Sequence, residues 1–235
     1  MLSMEEVSVT YNHRRQVVGA LADVSLQIAD GDFVSVVGPS GSGKSTLLLT
    51  LGGMLSPSAG RVVLDGQSVY DLPSDQRARL RRQKLGFVFQ TFNLVPYLTA
   101  LENVQAPLFL AGLGDREQRE RAASLLERVG LGDRLDHKPS ELSVGQQQRV
   151  ALARVLANEP AVILADEPTG NLDPDTAQQV IEFLEDLSRE GRTLVMVTHD
   201  PQAARRARRK LSLRAGRIAS EEQGAGEPRR GSSCG

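Results

Sequence analysis

The chain has 235 residues, of which 40% are hydrophobic and 24% charged, and its formal net charge is −1. This composition predicts a soluble globular protein with one sizeable hydrophobic core and room for a small attached lobe. The near-neutral charge and the 4% aromatic content, with no Trp, argue against binding to nucleic acid or to anionic lipid.

The cysteine content and the first residues bear on the compartment. The one cysteine, Cys234, has no partner for an internal disulfide, which suits a reducing compartment. No apolar run approaches the roughly 18 residues that a membrane-spanning helix needs. The first six residues lack the basic and then apolar stretches of a secretory signal. If the protein works at a membrane, we expect another chain to span it.

Strand-like and helix-like segments alternate at both ends of the chain, which predicts an α/β fold with a parallel sheet. Before residue 90 the patterns predict strands at 4–11, 21–28, 33–37, 61–64 and 85–89, and helices at 46–51 and 74–82. After residue 160 they predict strands at 161–165 and 193–197, a helix at 174–188, a further short helix and a hairpin at 211–218. Residues 220–235 are polar and rich in Gly, Glu, Arg and Ser, so we predict a disordered tail.

The middle of the chain, from 99 to 156, has a mainly helical pattern. One helix is predicted over 115–129, where an apolar stripe is formed by Ala122, Leu125, Leu126 and Val129. A second helix is predicted over 143–156. These helices predict a lobe inserted into the α/β core.

A glycine-rich loop follows the apolar strand at 33–37. It fits the pattern G-x-x-x-x-G-K-[ST] in the run Gly38-Pro39-Ser40-Gly41-Ser42-Gly43-Lys44-Ser45-Thr46. The glycines allow main-chain N–H groups to turn inward around phosphates, and the following helix directs its positive end at them. We expect Lys44 to reach the β- and γ-phosphates of a nucleoside triphosphate and the Ser45 hydroxyl to ligate Mg²⁺.

Two adjacent acids, Asp166 and Glu167, follow the buried strand at 161–165. The carboxyl ends of parallel strands are where open α/β sheets bind ligands, and successive residues point to opposite sides. We therefore expect Asp166 to hold Mg²⁺ and Glu167 to act as the general base toward the attacking water. A solvated turn would be the favoured interpretation of a bare Asp-Glu pair, but the phosphate-binding pattern upstream reverses that preference.

The segment Leu142-Ser143-Val144-Gly145-Gln146 is similar to the signature Leu-Ser-Gly-Gly-Gln of the ATP-binding subunits of ABC transporters. The run QQRVALAR that follows is also as that family has it, and the resemblance extends from Tyr11 to about Ile218. It implies a P-loop NTPase core with an antiparallel β subdomain and an inserted α-helical signature subdomain at about 91–158, in an ATPase domain spanning 1–219. ATP and Mg²⁺ are the implied ligands.

The resemblance also implies roles for single residues. Tyr11 matches the aromatic residue that stacks on adenine, with an ordinary strand aromatic as the open alternative. Gln90 matches the glutamine that meets Mg²⁺ and the attacking water, and His199 matches the histidine that contacts the γ-phosphate. The segment 171–173, which ends at Asp173, matches the loop that crosses to a partner subunit.

The same resemblance implies a head-to-tail homodimer that sandwiches ATP. Ser143, Gly145 and Gln146 then serve the nucleotide held by the other subunit, which makes the site a composite of two chains. Val144 departs from the family's usual glycine. Because it adds a branched side chain to a loop that approaches phosphate, we expect a slower or less tightly closing site.

The segments 87–104 and 164–173 resemble the subfamily of lipoprotein-release, macrolide-export and cell-division ATPases. This implies a separate transmembrane permease, docked on 91–110, and a peripheral location on the cytoplasmic face of the inner membrane. The apolar residues of that segment have an alternative role as the lobe's own core.

Two other classes of ABC ATPase remain. DNA-repair members carry a long coiled coil, whereas no sustained heptads occur here, and translation members carry two cassettes, whereas this chain has one. A non-hydrolysing module is a third alternative, disfavoured because every catalytic position is filled. The cargo and the direction of transport are not encoded in this chain.

Overall fold

The computed structural model describes residues 1–13 and 16–224, without the side chains of 12–17. The strands are β1 (Leu2–His13), β2 (Gln16–Ile28), β3 (Phe33–Val37), β4 (Ala59–Leu64), β5 (Gln67–Ser68), β6 (Leu85–Phe89), β7 (Val162–Asp166), β8 (Thr193–Val197), β9 (Arg209–Arg214) and β10 (Arg217–Gln223). The helices are α1 (Lys44–Leu51), α2 (Ser74–Lys84), α3 (Ala100–Leu110), α4 (Asp115–Arg128), α5 (Val144–Leu156), α6 (Pro174–Arg189) and α7 (Pro201–Arg206).

A six-stranded sheet in the order β10-β9-β3-β8-β7-β6 forms the core, and only β10 pairs antiparallel. One row of paired residues crosses four of these strands. Val36 of β3 pairs with Val197 of β8, Val197 pairs with Asp166 of β7, and Asp166 pairs with Phe89 of β6. The loops that leave these four strands therefore begin at one edge of the sheet.

The two faces of this sheet are buried by different layers, because side chains alternate along each strand. Val195 and Val197 face α1 and the second sheet, which is antiparallel with the order β2-β1-β4-β5. Leu194 and Met196 face α6 on the other side. Burial on both faces explains why β3 and β8 are mainly apolar. The two sheets with their helices confirm the predicted α/β class with an antiparallel β subdomain.

The helices α3, α4 and α5 form the predicted lobe around a third apolar cluster. Ala122 and Leu126 are fully buried in it, which confirms the apolar stripe of α4. Leu101, Val104 and Leu108 of α3 are also buried there, as the core interpretation of that segment predicts. Phe109 and Leu110 differ, because they are 70% and 64% exposed.

Asn103 organises the chain that enters α3. Its amide NH₂ group shares its two hydrogens among the carbonyl oxygens of Val95, Leu98 and Thr99, and its oxygen accepts from the main-chain N–H of Val95. The side chain is buried, so these bonds replace water completely. Asn103 thus fixes residues 95–99 at the end of the segment between β6 and α3.

The prediction of a disordered tail from residue 220 is wrong for 220–223. These residues continue β10, where Glu221 forms an ion pair with Arg209 and Glu222 forms one with Lys210 of the neighbouring strand. Opposite charges across an antiparallel pair stabilise a strand that looks like a polar tail in sequence. The remainder of the predicted tail, 225–235, lies outside the described residues. No helix in the described part of the chain is long and apolar enough to cross a membrane.

Replacing Asn103 with Ala should lower the free energy of unfolding by about 2–4 kcal/mol, because the part-buried main-chain groups of Val95, Leu98 and Thr99 lose their hydrogen bonds to its side chain. Urea unfolding followed by circular dichroism measures this. The exposed Gln178→Ala on α6 is the control and should change it by less than about 1 kcal/mol. Equal effects of the two substitutions would contradict the role given to Asn103.

Candidate functional site

The glycine-rich loop connects β3 to α1 at the edge of the parallel sheet. Gly41 and Gly43 have positive φ angles of 75° and 103°, which other residues rarely adopt. A Cβ atom at Gly43 would also overlap the carbonyl oxygen of Ala20. Lys44 Nζ donates to the carbonyl oxygens of Gly38 and Pro39 at 2.8 and 3.1 Å, so the ammonium group lies against the loop.

Ser45 and Asp166 meet across the base of the loop. The Ser45 hydroxyl donates to Asp166 Oδ1 at 3.2 Å. Burial raises the pKa of the Asp166 carboxyl, opposed by the Ser45 hydrogen bond and reinforced by the charge of Glu167. The hydroxyl oxygen of Ser45 and the carboxylate of Asp166 therefore lie together as possible metal ligands. Oxygen ligands of this kind suit Mg²⁺.

Glu167 is the first residue after β7, which ends at Asp166. It has a positive φ of 48°, which is strained for a residue with a side chain, and its N–H donates to Val197 of β8 at 2.9 Å. Glu167 Oε2 lies 2.8 Å from His199 Nδ1 and also accepts from the His199 N–H at 3.3 Å. The structure thus brings together a carboxylate 17% exposed and an imidazole 71% exposed.

Gln90, which follows β6, is held by the loop after β7. Asn171 Nδ2 donates to the Gln90 carbonyl oxygen at 3.1 Å, and Gln90 Nε2 donates to Asn171 Oδ1 at 3.5 Å. Gly170 lies so close that a Cβ atom there would be 2.9 Å from Gln90 Nε2. Gln90 therefore belongs to the same sheet edge as Asp166 and Glu167.

Tyr11 lies beside the phosphate loop from the antiparallel sheet. Its hydroxyl is 3.4 Å from the hydroxyl of Thr46, and the residue is 42% exposed. A ring that is both exposed and next to the loop is available to a flat ligand. Stacking on adenine stays a prediction.

The signature segment begins α5 with a reciprocal cap. Ser143 Oγ accepts from the Gln146 N–H, and Gln146 Oε1 accepts from the Ser143 N–H. Val144 is the first residue of the helix and is 48% exposed. No hydrogen bond among the described residues joins 143–146 to the loop at 38–46, so within one chain these two elements are not linked.

Gly145 and Asp173 have structural tasks that the sequence did not indicate. Gly145 is buried, and a Cβ atom there would be 2.6 Å from Thr176 Cγ2, so only glycine fits without a shift. Asp173 caps α6, since its carboxylate accepts from the Thr176 N–H at 3.0 Å. That hydrogen bond lowers the pKa of Asp173. Direct contact of either residue with nucleotide stays a prediction.

Gln148 is a residue of this region that sequence reasoning missed. Its side chain is fully buried and donates to the carbonyl oxygen of Pro168, which follows Glu167, at 2.7 Å. One signal was present in the sequence: Gln148 shares the buried helical face of Gly145 and Leu152, at spacings of three and four. A polar residue on such a face needs a partner.

A groove of about 510 Å³ opens between α2, β6 and α3, next to the segment that Asn103 fixes. Its apolar lining includes Met54, Phe87, Pro107 and Leu110. Its charged lining, among the described residues, is made of Arg81, Arg82 and Arg154 without any acid. The groove thus combines an apolar floor with a positive rim.

Replacing Asp166 with Asn should raise the thermal midpoint of the ligand-free protein at pH 7.5, because the amide removes a buried charge. Since the pKa of Asp166 is raised by folding, the wild type loses stability as the pH rises from the unfolded to the folded pKa. The rise in thermal midpoint caused by Asp166→Asn is therefore largest above the folded pKa of Asp166 and vanishes below about pH 4. Differential scanning fluorimetry in EDTA measures it, with the exposed Asp136→Asn as control. A lower midpoint for Asp166→Asn at pH 7.5 would contradict this electrostatic account.

Comparison with known proteins places this geometry in a family. Residues 21–170 match the family described as ABC transporter. The macrolide export ATP-binding/permease protein MacB of Syntrophobacter fumaroxidans is 48% identical over 97% of this chain, which is 32% of that protein. An uncharacterized ABC transporter ATP-binding protein of Thermotoga maritima is 47% identical over 95% of both chains. The chain thus spans about a third of the MacB relative and nearly all of the Thermotoga protein.

A solved structure agrees in fold. The ATP-binding cassette MJ0796, in a dimeric post-hydrolysis state bound to ADP and Pi, has a TM-score of 0.89 and 44% identity over 95% of this chain and 98% of that chain. A second dimeric structure of MJ0796 has the same TM-score at 45% identity. These matches confirm the P-loop NTPase fold. On the matched sequence, the matched fold and the arrangement of the sheet edge, the chain belongs to the ABC transporter family as one of its ATP-binding cassettes.

Proposed function

We propose that this chain binds ATP, hydrolyses it to ADP and phosphate, and uses the cycle to drive a separate membrane permease. The observation that carries the proposal is the shared sheet edge. There the phosphate loop, the pair Asp166 and Glu167, Gln90 and His199 follow four strands in register. The MJ0796 cassette, whose fold this chain shares, was solved with ADP and Pi.

Each residue at the edge has a defined task in this proposal. Lys44 and the main-chain N–H groups of the loop bind and orient the β- and γ-phosphates. Ser45 and Asp166 would hold Mg²⁺, with Gln90 beside them, and the ion supplies neutralisation of phosphate charge. Glu167 accepts a proton from the attacking water, and His199, which contacts Glu167, orients that carboxylate and reaches the γ-phosphate.

The site is completed by a second copy of the chain. The cap formed by Ser143 and Gln146 presents the start of α5 outward, where it is not linked to the chain's own loop. A head-to-tail dimer brings this segment to the partner's ATP, and the dimeric state of MJ0796 supports that arrangement. ATP favours the closed dimer because only the closed form contacts the γ-phosphate from both sides.

The groove between α2 and α3 is the proposed contact with the permease. It has apolar and positively charged lining, which includes the exposed Leu110, and the preceding residue Phe109 is exposed as well. The MacB relatives are named as combined ATP-binding/permease proteins, which supports a membrane partner for a chain that matches a third of them. The protein would then lie on the cytoplasmic face of the membrane through this contact.

The alternative, a non-transport ABC ATPase, gains no support from the described helices. The longest of them, α6, has 16 residues, which is too short for the extended coiled coil of the DNA-repair class.

Replacing Glu167 with Gln should lower kcat for ATP hydrolysis by at least about 100-fold, because the general base is lost. The same variant should form dimers in ATP, since its binding groups are intact. Phosphate release and size-exclusion chromatography measure the two effects. The exposed Glu182→Gln on α6 should leave both unchanged. Normal hydrolysis by Glu167→Gln would rule out its role as base.

Replacing Val144 with Gly should raise the ATPase rate and the dimer affinity about threefold or more, because relief of one close contact is worth on the order of 1 kcal/mol. Val144→Ala should lie between the two proteins. Steady-state kinetics of the chains with intact Glu167 measures the ATPase rate. Sedimentation of the same Val144 variants in the Glu167→Gln background measures the dimer affinity. If neither quantity changes, the valine places no limit on closure.

Replacing Arg82 with Glu should reduce recovery of the permease at least about fivefold, since a reversed charge on the groove rim opposes the docked segment. The assay is affinity purification of the tagged chain from detergent-solubilised membranes, with mass spectrometry of the bound membrane protein. Arg119→Glu, on the exposed face of α4, is the charge-matched control. Equal recovery with both variants would exclude the rim from docking.

A further inference from the structure

Gln148 connects the signature helix to the loop that carries the catalytic carboxylate. Its Nε2 atom donates to the Pro168 carbonyl oxygen at 2.7 Å in a fully buried position. Pro168 directly follows Glu167, whose strained backbone conformation begins this loop. The hydrogen bond therefore joins α5 to the position one residue beyond the proposed base.

A second contact ties the same helix face to the other end of this loop. Gly145, three residues before Gln148, packs against Thr176 at the start of α6. Between these two points the loop contains two turns of its own. The Gly170 N–H donates to the Glu167 carbonyl oxygen, and the Leu172 N–H donates to the Thr169 carbonyl oxygen. Segment 168–176 is thus held at both ends by α5.

The second polar atom of Gln148 shows that its place is set by the bond to Pro168. Gln148 Oε1 is buried and has no hydrogen-bond partner in the described part of the structure. An unsatisfied buried carbonyl costs free energy, so an apolar side chain of the same size would suit this buried position equally well. What that side chain would not provide is the bond between α5 and Pro168.

We propose that Gln148 is a positioning residue that couples the two ATP sites to which each chain contributes. This inference rests on the proposed head-to-tail dimer, in which the start of α5 serves the partner's ATP and Glu167 serves the chain's own. A displacement of α5 by the partner's γ-phosphate then reaches Glu167 through Gln148 and Pro168. The coupling travels through one hydrogen bond and a closed loop rather than through a change of fold.

Gln148→Met tests this because it keeps the volume and removes both polar atoms. Gln118→Met is the matched control: Gln118 is also a buried glutamine of the helical lobe, and its Nε2 donates to the Leu113 carbonyl oxygen at 2.6 Å. Both variants lose one bond to a main-chain carbonyl, and Gln148→Met also removes the unsatisfied Oε1, so it should lose no more thermal stability than Gln118→Met. Only Gln148→Met breaks the link to the loop after Glu167.

Three readouts separate positioning from a merely structural role. Affinity of the isolated chain for trinitrophenyl-ATP should stay within about twofold in both variants, since the phosphate loop is untouched. In Gln148→Met, kcat should fall about tenfold, and in the Glu167→Gln background the ATP concentration for half-maximal dimerisation should rise about fivefold. Gln118→Met should leave both values unchanged.

The inference is overturned if Gln148→Met keeps kcat and dimerisation within twofold of Gln118→Met. It is also overturned if Gln148→Met weakens trinitrophenyl-ATP binding as strongly as it lowers kcat, because that indicates general loss of structure. Failure of the parent Glu167→Gln variant to dimerise in ATP is a different result. It overturns the proposed composite site, and this inference with it.

Discussion

The row of paired residues from Val36 through Val197 and Asp166 to Phe89 is the constraint on which the site depends. Parallel strands in register end at one level, so the residues that follow them meet without any loop having to bring them together. Asp166 belongs to this row, Glu167 and Gln90 lie one residue beyond it, and Gly38 of the glycine loop and His199 lie two residues beyond it. A shift of one strand by one residue would exchange the faces of its side chains and remove its contribution.

In this row and next to it, two residues proposed for the reaction are held in conformations or surroundings that cost free energy. Asp166 is held partly buried with a raised pKa, and Glu167 has a left-handed backbone conformation. Both are stabilised from outside: Ser45 donates to Asp166, and Val197 accepts from the Glu167 N–H. Charge and strain of this kind are typical of sites whose ligand repays them on binding. The helical lobe, in contrast, has its own apolar cluster.

Much of the fold was predictable because burial and sequence pattern agree. The strands β3, β6 and β8 begin and end where the sequence predicts, since strands of a sheet covered on both faces are mainly apolar. The strands β1 and β2 are longer than predicted, because an antiparallel ladder continues through polar residues once it has formed. The strand at 220–223 was missed for a related reason, since its ion pairs with β9 involve a partner strand whose position is set by tertiary structure.

The candidate site was predictable to the extent that it consists of short motifs on strand ends. The contacts that hold it were not. Three contacts depend on how α5 packs against its neighbours. These are the cap between Ser143 and Gln146, the close packing of Gly145 on Thr176, and the hydrogen bond from Gln148 to Pro168. No local pattern specifies such packing, and the same glutamines on an exposed face would have carried no information.

The central claim is that each ATP site is made of two chains, and inter-chain disulfide formation tests it most directly. Two chains carry Glu167→Gln and Cys234→Ser; one also carries Ser40→Cys in the phosphate loop, and the other Val144→Cys in the signature. A disulfide requires Cα atoms within about 7 Å, so it reports direct contact. The account predicts a cross-linked heterodimer when the two chains are mixed in ATP and little without nucleotide. Full ATP binding by both chains without any ATP-dependent cross-link would contradict it.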